Sequence, residues 1–334
     1  MPGASDLKRA LRPIVHRVRN RRDAMLGGNC VVLLYHRVID LPTDPQLLSV
    51  SPAHFDEQLA WLKQELHVLS AEEFDHHLAK STRFPRNSAF ITFDDGYADN
   101  HHVARPILEK HGLLALFYIS SGYIGSGREY WWDELERLFL LNPDLPREFD
   151  FGALGDELTW KYDHAPLAAD MRERYDFLIA TLRILTSEGR DSILADLRQR
   201  LNSPYARATH LPMTREELLA FAHSPSVAIG AHSIGHCALA NQTEEGQRHE
   251  ITGSKQELER MLGRPIERFA YPFGTGAEFN AASMRICEEA GFLHAAANVN
   301  GFVHKRSRRF AFPRILVRDW SAAELAQRLK PYLS

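Results

Sequence analysis

Ser88-Ala89-Phe90-Ile91-Thr92-Phe93-Asp94-Asp95-Gly96 is the stretch around which the rest of the chain is arranged. Its first six residues form an apolar, β-branched and aromatic run of strand length, and a glycine ends the run. Adjacent side chains on a regular strand point to opposite faces, so the two carboxylates can converge only if the strand breaks after them. Convergent carboxylates suit a metal ion or a proton transfer. The alternative is a solvated turn or a helix N-cap.

A second motif, Gly230-Ala231-His232-Ser233-Ile234-Gly235-His236, follows another short apolar run at Val227-Ala228-Ile229. The spacing of His232 and His236 would put both imidazoles on one face of a helical turn, close enough to share a metal. Two imidazoles and one carboxylate leave a fourth tetrahedral position open, which is typical of a catalytic zinc site. The alternative is one buried and one exposed histidine in a chain that contains 17 of them.

These two motifs and the segment Tyr271-Pro272-Phe273-Gly274 resemble the polysaccharide deacetylases, the NodB-homology carbohydrate esterases. The resemblance covers about residues 30–318, with a long insertion in the middle. The motifs are specific because they occur together, in order, and each after a strand.

The resemblance implies a role for each matching residue. It implies that Asp95, His232 and His236 bind one divalent metal ion, Zn2+ first, with Co2+, Ni2+ or Mn2+ as alternatives. It also implies that Asp94 is the general base, which takes a proton from the attacking water. Cys237 follows the second histidine and is interpreted as a small buried residue rather than a ligand.

The sequence departs from the family pattern where an arginine usually pairs with the base aspartate. In the family this arginine stands shortly before the proline, where this chain has Ala270 or Tyr271. Arg268 lies one step further back, and strand alternation makes its direction uncertain. We therefore predict that Arg314, in Phe312-Pro313-Arg314-Ile315, takes over the pairing. The alternative is a surface or packing arginine.

The usual general acid of the family, a histidine in a Leu-x-His motif near the C-terminus, is also missing. Leu34-Tyr35-His36 at the end of the first strand matches that motif instead. A closed barrel has no preferred starting strand, so the last strand can move to the front while its histidine keeps its place. This circularly permuted order is similar to the poly-N-acetylglucosamine deacetylase branch. His36 is therefore predicted to be the acid, with a structural histidine as the alternative.

The chemistry of amide hydrolysis and of sugar binding points to further groups that would contact the substrate. The backbone N–H of Phe273, next to Tyr271 at the Pro-Phe-Gly turn, is the expected oxyanion donor. Trp132 beside Asp133 would stack on a sugar ring and hydrogen-bond its hydroxyls. Packing in the core is the alternative for this pair.

Strands alternate with helices along most of the chain, which favours a parallel sheet with crossover helices. Because the site residues all follow strands, we predict an α/β fold, a distorted (β/α) barrel of about seven parallel strands. This NodB-like TIM-type barrel would carry its site at the C-terminal rim. The barrel would span residues 29–334 and be interrupted by a mostly helical insertion at about 123–215.

Residues 1–28 form a separate basic and amphipathic segment. Apolar residues recur at helical spacing within 7–22, although Pro13 interrupts them. Such a segment would contact an anionic membrane surface, or its apolar face would dock on the barrel.

Composition limits the possible binding partners and the cellular compartment. The net charge of −3 predicts no nucleic-acid partner, and three cysteines without CxxC spacing fit a reducing compartment. Neither a signal peptide nor an apolar run of about 18 residues is seen, so we expect a cytoplasmic location, at the inner membrane face if the basic segment binds there.

The expected function is a metal-dependent hydrolase that removes N-acetyl groups, or less readily O-acetyl groups, from a polysaccharide or glycan precursor. The partner would be an N-acetylated glycan, lipid-linked if residues 7–22 bind a membrane. Two alternatives stay open from sequence alone. One is a related hydrolase of a small non-sugar amide, and the other is an inactive carbohydrate-binding barrel.

Overall fold

The computed structural model describes residues 28–142, 145–146, 148–149, 160–161, 168–203 and 206–333. The predicted basic segment at 1–28 therefore lies, except for Gly28, outside the described residues. Among the helices that are described, none is long and apolar enough to cross a membrane.

Strands and helices alternate over most of this part of the chain. The strands are β1 (Cys30–Tyr35), β2 (Arg37–Val38), β3 (Ser49–Val50), β4 (His67–Val68), β5 (Ser88–Phe93), β6 (Ala115–Ile119), β7 (Glu148–Phe149), β8 (Trp160–Lys161), β9 (Val227–Ala231), β10 (Arg268–Ala270), β11 (His294–Ala296) and β12 (Ile315–Leu316). The α-helices are α1 (Pro52–Glu65), α2 (Ala71–Ala79), α3 (Arg105–His111), α4 (Trp131–Leu135), α5 (Ala168–Arg183), α6 (Ser187–Arg200), α7 (Arg215–Phe221), α8 (Glu244–Leu262), α9 (Ala281–Glu289) and α10 (Ala322–Leu329). Two π-helical turns, Asn100–Ala104 and Glu136–Leu140, precede α3 and follow α4.

Seven parallel strands form the main sheet, in the order β11-β10-β9-β6-β5-β1-β12. The short strand β4 pairs in parallel with the start of β5. A parallel bridge between Ala296 and Phe312 joins the two ends of the sheet, and the N–H of Ala297 donates to the Phe312 carbonyl at 2.9 Å. The sheet therefore curls into a distorted barrel, and the predicted (β/α) barrel of about seven parallel strands is confirmed.

Residues on the two faces of the strands enter two different buried clusters. Val31, Leu33, Ile91, Phe93, Phe117 and Ile229 pack with helix residues such as Phe55, Leu218 and Ile251 on the outside. Their neighbours point into the barrel and form a second cluster, which contains Val32, Phe90, Leu116, Tyr118, Ala228, Ala270, Ala296 and Phe312. Strands that are buried on both faces need near-continuous apolar sequence, which explains why these runs look so uniform.

Polar side chains fix the start of several helices as the sequence predicts. The Ser51 hydroxyl accepts a hydrogen bond from the His54 N–H at the start of α1, where Pro52 occupies the first turn. Ser321 and Glu324 form the expected capping box at the start of α10. These caps place the crossover helices, and so the loops that follow the strands, at defined positions.

The chain between β6 and β9 adds a second layer over one side of the barrel. Helices α4, α5 and α6 contribute to a buried cluster of their own, which includes Trp131, Leu138, Tyr175 and Leu194. Two side chains from barrel loops, Tyr97 and Phe273, pack into the same cluster. The helices of this segment therefore rest directly on the loops at the C-terminal ends of the strands.

The tight interior of the barrel leads to a stability prediction at Gly230 in β9. A Cβ atom at this position would lie 2.6 Å from the Tyr118 ring and 2.9 Å from the Arg268 carbonyl oxygen. We expect Gly230→Ala to lower the free energy of unfolding by about 1–3 kcal/mol, because neither neighbour can move freely. Equilibrium unfolding in urea measures this change.

Gly276→Ala is the matched control, because no described atom lies within 4 Å of the Cβ it would add. It should change the free energy of unfolding by less than about 0.5 kcal/mol. Equal stability of Gly230→Ala and the wild type would show that the barrel interior is not tightly packed at this layer.

Candidate active site

Three side chains of the site point into the barrel because they keep the alternation of the strands that they follow. Val32 faces the barrel interior, so His36, four residues later, leaves the end of β1 on the same side. The same alternation carries Asp94 inward after β5 and His232 inward after β9. The carboxyl ends of parallel strands meet at one rim, and these three residues therefore line the same cavity.

Strand alternation would point Asp95 away from the barrel interior, on the face opposite to that of Asp94. Its carboxylate reaches the site because the backbone there is irregular. Its φ of 77° lies in the left-handed region, and Gly96 follows with a φ of 102°. The Asp95 carbonyl is held by the Ser120 N–H at 2.9 Å and by the Tyr130 hydroxyl at 2.7 Å. The break predicted after Phe93 thus turns the second carboxylate back towards the first.

The loop that carries His232 and His236 is held from two sides. The Glu250 carboxylate on α8 accepts hydrogen bonds at 2.9 Å from the N–H groups of both Ile234 and Gly235. The Arg190 guanidinium on α6 donates to the carbonyls of Gly235 and His236. The loop is therefore clamped between helix α8 and helix α6.

The prediction that the two histidines share a face of a helical turn is wrong. Ser233 and His236 have φ angles of 62° and 52°, and the segment forms no helix. The Ser233 hydroxyl instead accepts a hydrogen bond from the His236 N–H at 3.0 Å. The imidazoles converge because the loop doubles back, which brings the ring centroids within 5.0 Å.

The nitrogen and oxygen atoms of Asp95, His232 and His236 fit a single cation. The Asp95 Oδ1 atom lies 3.3 Å from His236 Nε2 and 3.6 Å from His232 Nε2, and one ligand atom of each residue lies within 4.8 Å of the others. This Oδ1 atom is buried and accepts no hydrogen bond from any described residue. The donor set of two imidazoles and one carboxylate is one that Zn2+ prefers.

The protonation of both histidines also suits a metal site. His232 Nδ1 lies 2.8 Å from the Ala270 carbonyl oxygen, so Nδ1 carries the proton and the Nε2 lone pair points to Asp95. Burial lowers the pKa of His232, and it lowers the pKa of His236 to about 3. Both rings are therefore neutral near pH 7, the state in which imidazole binds a metal.

Asp94 forms a buried bidentate ion pair with Arg314. The two terminal nitrogens of the guanidinium lie 2.7 Å from the two carboxylate oxygens, and Nε donates to the Ala297 carbonyl at 3.0 Å. Burial alone would raise the pKa of Asp94, but the charge and hydrogen bonds of Arg314 outweigh it, with His232 contributing, and lower the pKa to about 2. The Asp94 carboxylate is therefore ionised across the physiological range.

Arg268 does not take part in this pair. Its guanidinium donates to the Asp75 carboxylate on α2, which also contacts His294 at 2.7 Å. These residues lie at the start of β10 and β11, at the end of the barrel opposite the site. The structure thus places the arginine from the last strand, not the one near Tyr271, against Asp94.

A cavity of about 280 Å³ opens above these groups. The barrel contributes His36, Asp94, Asp95 and the two histidines, and Phe273 and Leu316 lie beside them. The segment between β6 and β9 contributes one wall, formed by Trp131, Trp132, Ile179 and Arg183, and loop residues such as Gln46, Asn298 and Arg318 complete the lining. Burial lowers the pKa of His36, with Arg314 and Arg318 adding to the effect and Asp95 and Asp94 opposing it.

Two residues predicted to contact substrate do not line this cavity. The Tyr271 side chain is buried in the outer core, where its ring stacks on Phe279 and its hydroxyl donates to the Phe310 carbonyl. The Asp133 carboxylate lies behind Trp132 and accepts a hydrogen bond from the Tyr97 hydroxyl at 2.7 Å. Tyr271 follows β10 in the outward phase, and Asp133 lies on the buried face of α4, so both predictions are corrected.

Trp132 and Phe273 do line the cavity, as the sequence predicts. The indole Nε1 of Trp132 donates to the Tyr97 hydroxyl at 2.8 Å, which orients the ring. Phe273 has a φ of 59° and packs edge-on against His236. An aromatic wall therefore stands next to the three candidate ligands.

Sequence reasoning missed two arginines of the cavity, Arg183 and Arg318, and the arginine that holds the histidine loop, Arg190. Arg318 could have been found, because it follows the last strand at the rim where site residues are expected. No local sequence pattern indicates that Arg183 and Arg190 belong to the site. Their positions depend on how α5 and α6 dock on the barrel.

Comparison with known proteins identifies the family. The polysaccharide deacetylase family model matches residues 81–140 and 201–295, and the unmatched gap falls between β6 and β9. Over 78 residues the chain is 36% identical to the poly-beta-1,6-N-acetyl-D-glucosamine N-deacetylase of Staphylococcus aureus, a match that covers 23% of this chain and 27% of that protein. The chain belongs to the polysaccharide deacetylase family.

Solved structures agree on the fold. The deacetylase PplD of Streptococcus pyogenes, solved in complex with acetate, superposes with a TM-score of 0.58 at 17% identity, over 90% of this chain and 98% of that one. IcaB from Ammonifex degensii gives a TM-score of 0.58 at 18% identity, over 90% and 97%. At this level of identity the likeness establishes the fold alone.

The buried pair of Asp94 and Arg314 leads to a second stability prediction. Arg314→Met should lower the free energy of unfolding at pH 7 by about 3–5 kcal/mol, because it leaves a buried carboxylate without its partner. The folded-state pKa of Asp94, about 2, lies below the ordinary value of 3.8, so the pair stabilises the fold above pH 4 and loses this effect as the pH falls towards 2. The deficit of the variant should therefore shrink over that interval. Chemical denaturation between pH 7 and pH 2 measures it.

The double variant Asp94→Asn/Arg314→Met is the control, since it removes both charges. It should be more stable than Arg314→Met alone. A loss below about 1 kcal/mol in the single variant would mean that the pair behaves like an exposed one.

Proposed function

We propose that this protein is a metal-dependent hydrolase that removes N-acetyl groups from a polysaccharide or glycan precursor. One observation carries the proposal: three ligand atoms, from Asp95, His232 and His236, converge beside the ion pair of Asp94 and Arg314 in an open cavity. Membership of the polysaccharide deacetylase family supports it. The name of the Staphylococcus aureus relative supports an N-acetylated sugar polymer as the substrate class.

Asp95, His232 and His236 would hold one divalent cation, with Zn2+ preferred and Co2+, Ni2+ or Mn2+ as alternatives. When bound, the ion would act as a Lewis acid that polarises the amide carbonyl and increases the acidity of the attacking water. Burial raises the pKa of Asp95, with Asp94 adding to the effect and His36 and His232 opposing it. A cation at this point would compensate the charge of the buried carboxylate.

Asp94 would be the general base. Arg314 holds both of its oxygens from one side, and each oxygen keeps a second lone pair for the proton of a water molecule. The pair thereby fixes the orientation of the carboxylate and keeps it ionised. His232 Nε2 lies 3.7 Å from Asp94 Oδ2, so the base lies directly beside the three candidate ligands.

His36 would be the general acid that protonates the leaving amine. Its ring lines the cavity, and its Nδ1 atom is buried without a hydrogen-bond partner in the described part of the chain. Burial lowers the pKa of His36, which favours release of a proton, and the nearby carboxylates favour its uptake beforehand.

The carbonyl oxygen of the substrate would be stabilised by the backbone N–H of Phe273. Within the described residues this N–H donates no hydrogen bond, so it is available to an oxyanion. The rings of Trp132 and Phe273 would contact the apolar face of the sugar. We further propose that residues 123–215 are an insertion into the barrel domain of residues 29–334 and shape the pocket without supplying a proton-transfer group.

Three expectations drawn from the sequence stay predictions. They are the contact of residues 7–22 with a membrane, a lipid-linked substrate, and a cytoplasmic location. The segment that motivates the first two lies outside the described residues.

Asp94→Asn tests the role of the base. We expect acetate release from N-acetylhexosamine oligosaccharides to fall by about 10²- to 10⁴-fold, because the amide cannot take up the proton of the attacking water. The variant should still bind a metal ion, since the three candidate ligands are intact. Steady-state acetate release and elemental analysis give both values.

Asp196→Asn on the exposed side of α6 is the control for the same chemical change. It should release acetate at the wild-type rate. Full activity of Asp94→Asn would rule out its role as base.

Metal content tests the cation site directly. The wild type should hold about one divalent ion per chain, and chelation should abolish acetate release until an ion is added back. Asp95→Ala should hold far less than one ion, because it loses the carboxylate ligand. Elemental analysis after dialysis gives the stoichiometry.

Asp133→Asn is the matched control, since Asp133, Glu136 and His210 form a second buried group with ligand-like spacing. There the Glu136 carboxylate is paired with Arg207 at 2.8 Å, so no cation is needed. Wild-type metal content is expected in Asp133→Asn. Loss of the ion in this variant but not in Asp95→Ala would place the cation at the second group and contradict our proposal.

A further inference from the structure

Arg318 is an arginine of the cavity that the chemistry above does not use. It follows β12 by two residues and lines the cavity together with His36 and Leu316. Its Nη1 atom donates to the backbone carbonyls of Gln46 and Leu47. These contacts hold the side chain at the edge of the site.

The other two nitrogens of Arg318 are left without a partner. Nε and Nη2 donate no hydrogen bond to any described residue, and they are not among the buried polar atoms. Nε and Nη2 form one edge of the planar guanidinium, the edge that matches two oxygens of a carboxylate or a phosphate. The free edge of Arg318 is therefore available to a ligand in the cavity.

The charge of Arg318 is not balanced by a carboxylate of the described chain. Burial lowers the pKa of Arg318, and the charge of Asp44 only partly opposes this. The Asp44 oxygens accept hydrogen bonds from the N–H groups of Leu48 and Ser49 instead. By contrast, burial of Arg207 would lower its pKa, but hydrogen bonds to Glu129 raise it overall.

The other arginines at the site are already paired. Arg314 is bound to Asp94, as described above. Arg183 lies 4.1 Å from the centre of the Phe273 ring and donates to the Glu278 carboxylate at 2.6 Å. Arg318 is thus the cation of this cavity whose charge the described residues leave uncompensated.

A purely structural role explains only part of this arrangement. Leu47 has a φ of 55°, and the bonds from Nη1 to the carbonyls of Gln46 and Leu47 stabilise that turn. A single donor would suffice for this purpose. It does not explain why a half-buried guanidinium that lines the cavity keeps its bidentate edge unpaired.

We propose that the substrate carries an anionic group, a phosphate or a carboxylate, which binds the Nε and Nη2 edge of Arg318. The inference rests on the proposed function, which it deepens by naming the substrate class. A cavity of about 280 Å³ is small for a ligand site and holds roughly one sugar ring. The anionic group is therefore on the acetylated sugar itself or on the residue linked to it.

Three probes test the inference and separate the two sources of charge. They are a neutral N-acetylhexosamine oligosaccharide, the same sugar bearing a phosphate ester, and an oligosaccharide that alternates N-acetylhexosamine with a hexuronate. The wild type should release acetate from one of the charged probes with a kcat/KM at least about tenfold above that for the neutral probe. Whichever charged probe is preferred identifies the anion.

Arg318→Gln should reduce this preference, the ratio of the two kcat/KM values, by about 10- to 100-fold. Arg318→Lys keeps the charge but lacks the two-nitrogen edge, so it should retain part of the preference. Arg248→Gln is the matched control, because this arginine pairs with Glu289 on the outer surface of α8. It should leave the ratio unchanged.

Equal kcat/KM for all three probes in the wild type would overturn the inference. So would an Arg318→Gln variant that loses activity on the neutral and charged probes by the same factor. In both cases acetate release by the wild type would still support the proposed function.

If the wild type releases acetate from none of the probes, the proposed function fails, and calorimetric binding of the same probes decides the role of Arg318. Tighter binding of a charged probe that is lost in Arg318→Gln would keep the anion site. Equal affinity for the three probes would remove it.

Discussion

The buried guanidinium of Arg314 links the closure of the barrel to the charge of its site. It donates to both oxygens of Asp94 after β5 and to the Ala297 carbonyl after β11, and it precedes β12 by one residue. Backbone pairing is sparse at this seam, where the bridge between Ala296 and Phe312 joins the ends of the sheet. A bidentate pair inside a low-dielectric core is costly to break from one side, because the remaining charge is left without water. The contact that helps to close the fold is therefore also the contact that keeps Asp94 ionised.

Left-handed backbone conformations place side chains of the site at positions that regular strands could not give them. Asp95, His236 and Phe273 are non-glycine residues with φ angles of 77°, 52° and 59°, in a region that such residues rarely adopt. At Asp95 and Phe273 these angles redirect side chains that strand alternation alone would send outward, and at His236 the angle belongs to the loop that doubles back. The surrounding structure compensates the strain with hydrogen bonds to the same segments, from the Tyr130 hydroxyl to the Asp95 carbonyl and from Arg190 to the His236 carbonyl.

The parts of this structure that follow from local pattern could be predicted from the sequence. The apolar runs that end in Asp94 and near His232 specify parallel strands buried on both faces, and the barrel follows from their alternation with helices. Residue spacing could not specify how the loops fold: His232 and His236 converge in a doubled-back loop, not on a helical turn. The prediction that Tyr271 contacts the substrate is wrong because successive strand residues point to opposite faces, and Tyr271 points to the outer core. Arg183 and Arg190 could not be found because their positions depend on how distant helices dock.

The site is consequently built from two sources with different constraints. The barrel rim supplies the candidate ligands and proton-transfer groups, and their positions are fixed by strand phase and by the pair of Asp94 and Arg314. The helices between β6 and β9 supply the wall formed by Trp131, Trp132, Ile179 and Arg183, and these helices have a buried cluster of their own. Arg190 couples the two at the histidine loop, and the backbone N–H groups of Ser121 and Gly122 and the ring of Trp132 contact the same loop. Changes at Ile179, Arg183 or the 46–48 turn would alter the shape and charge of the pocket most directly, whereas Trp132 also packs against the candidate ligand His236.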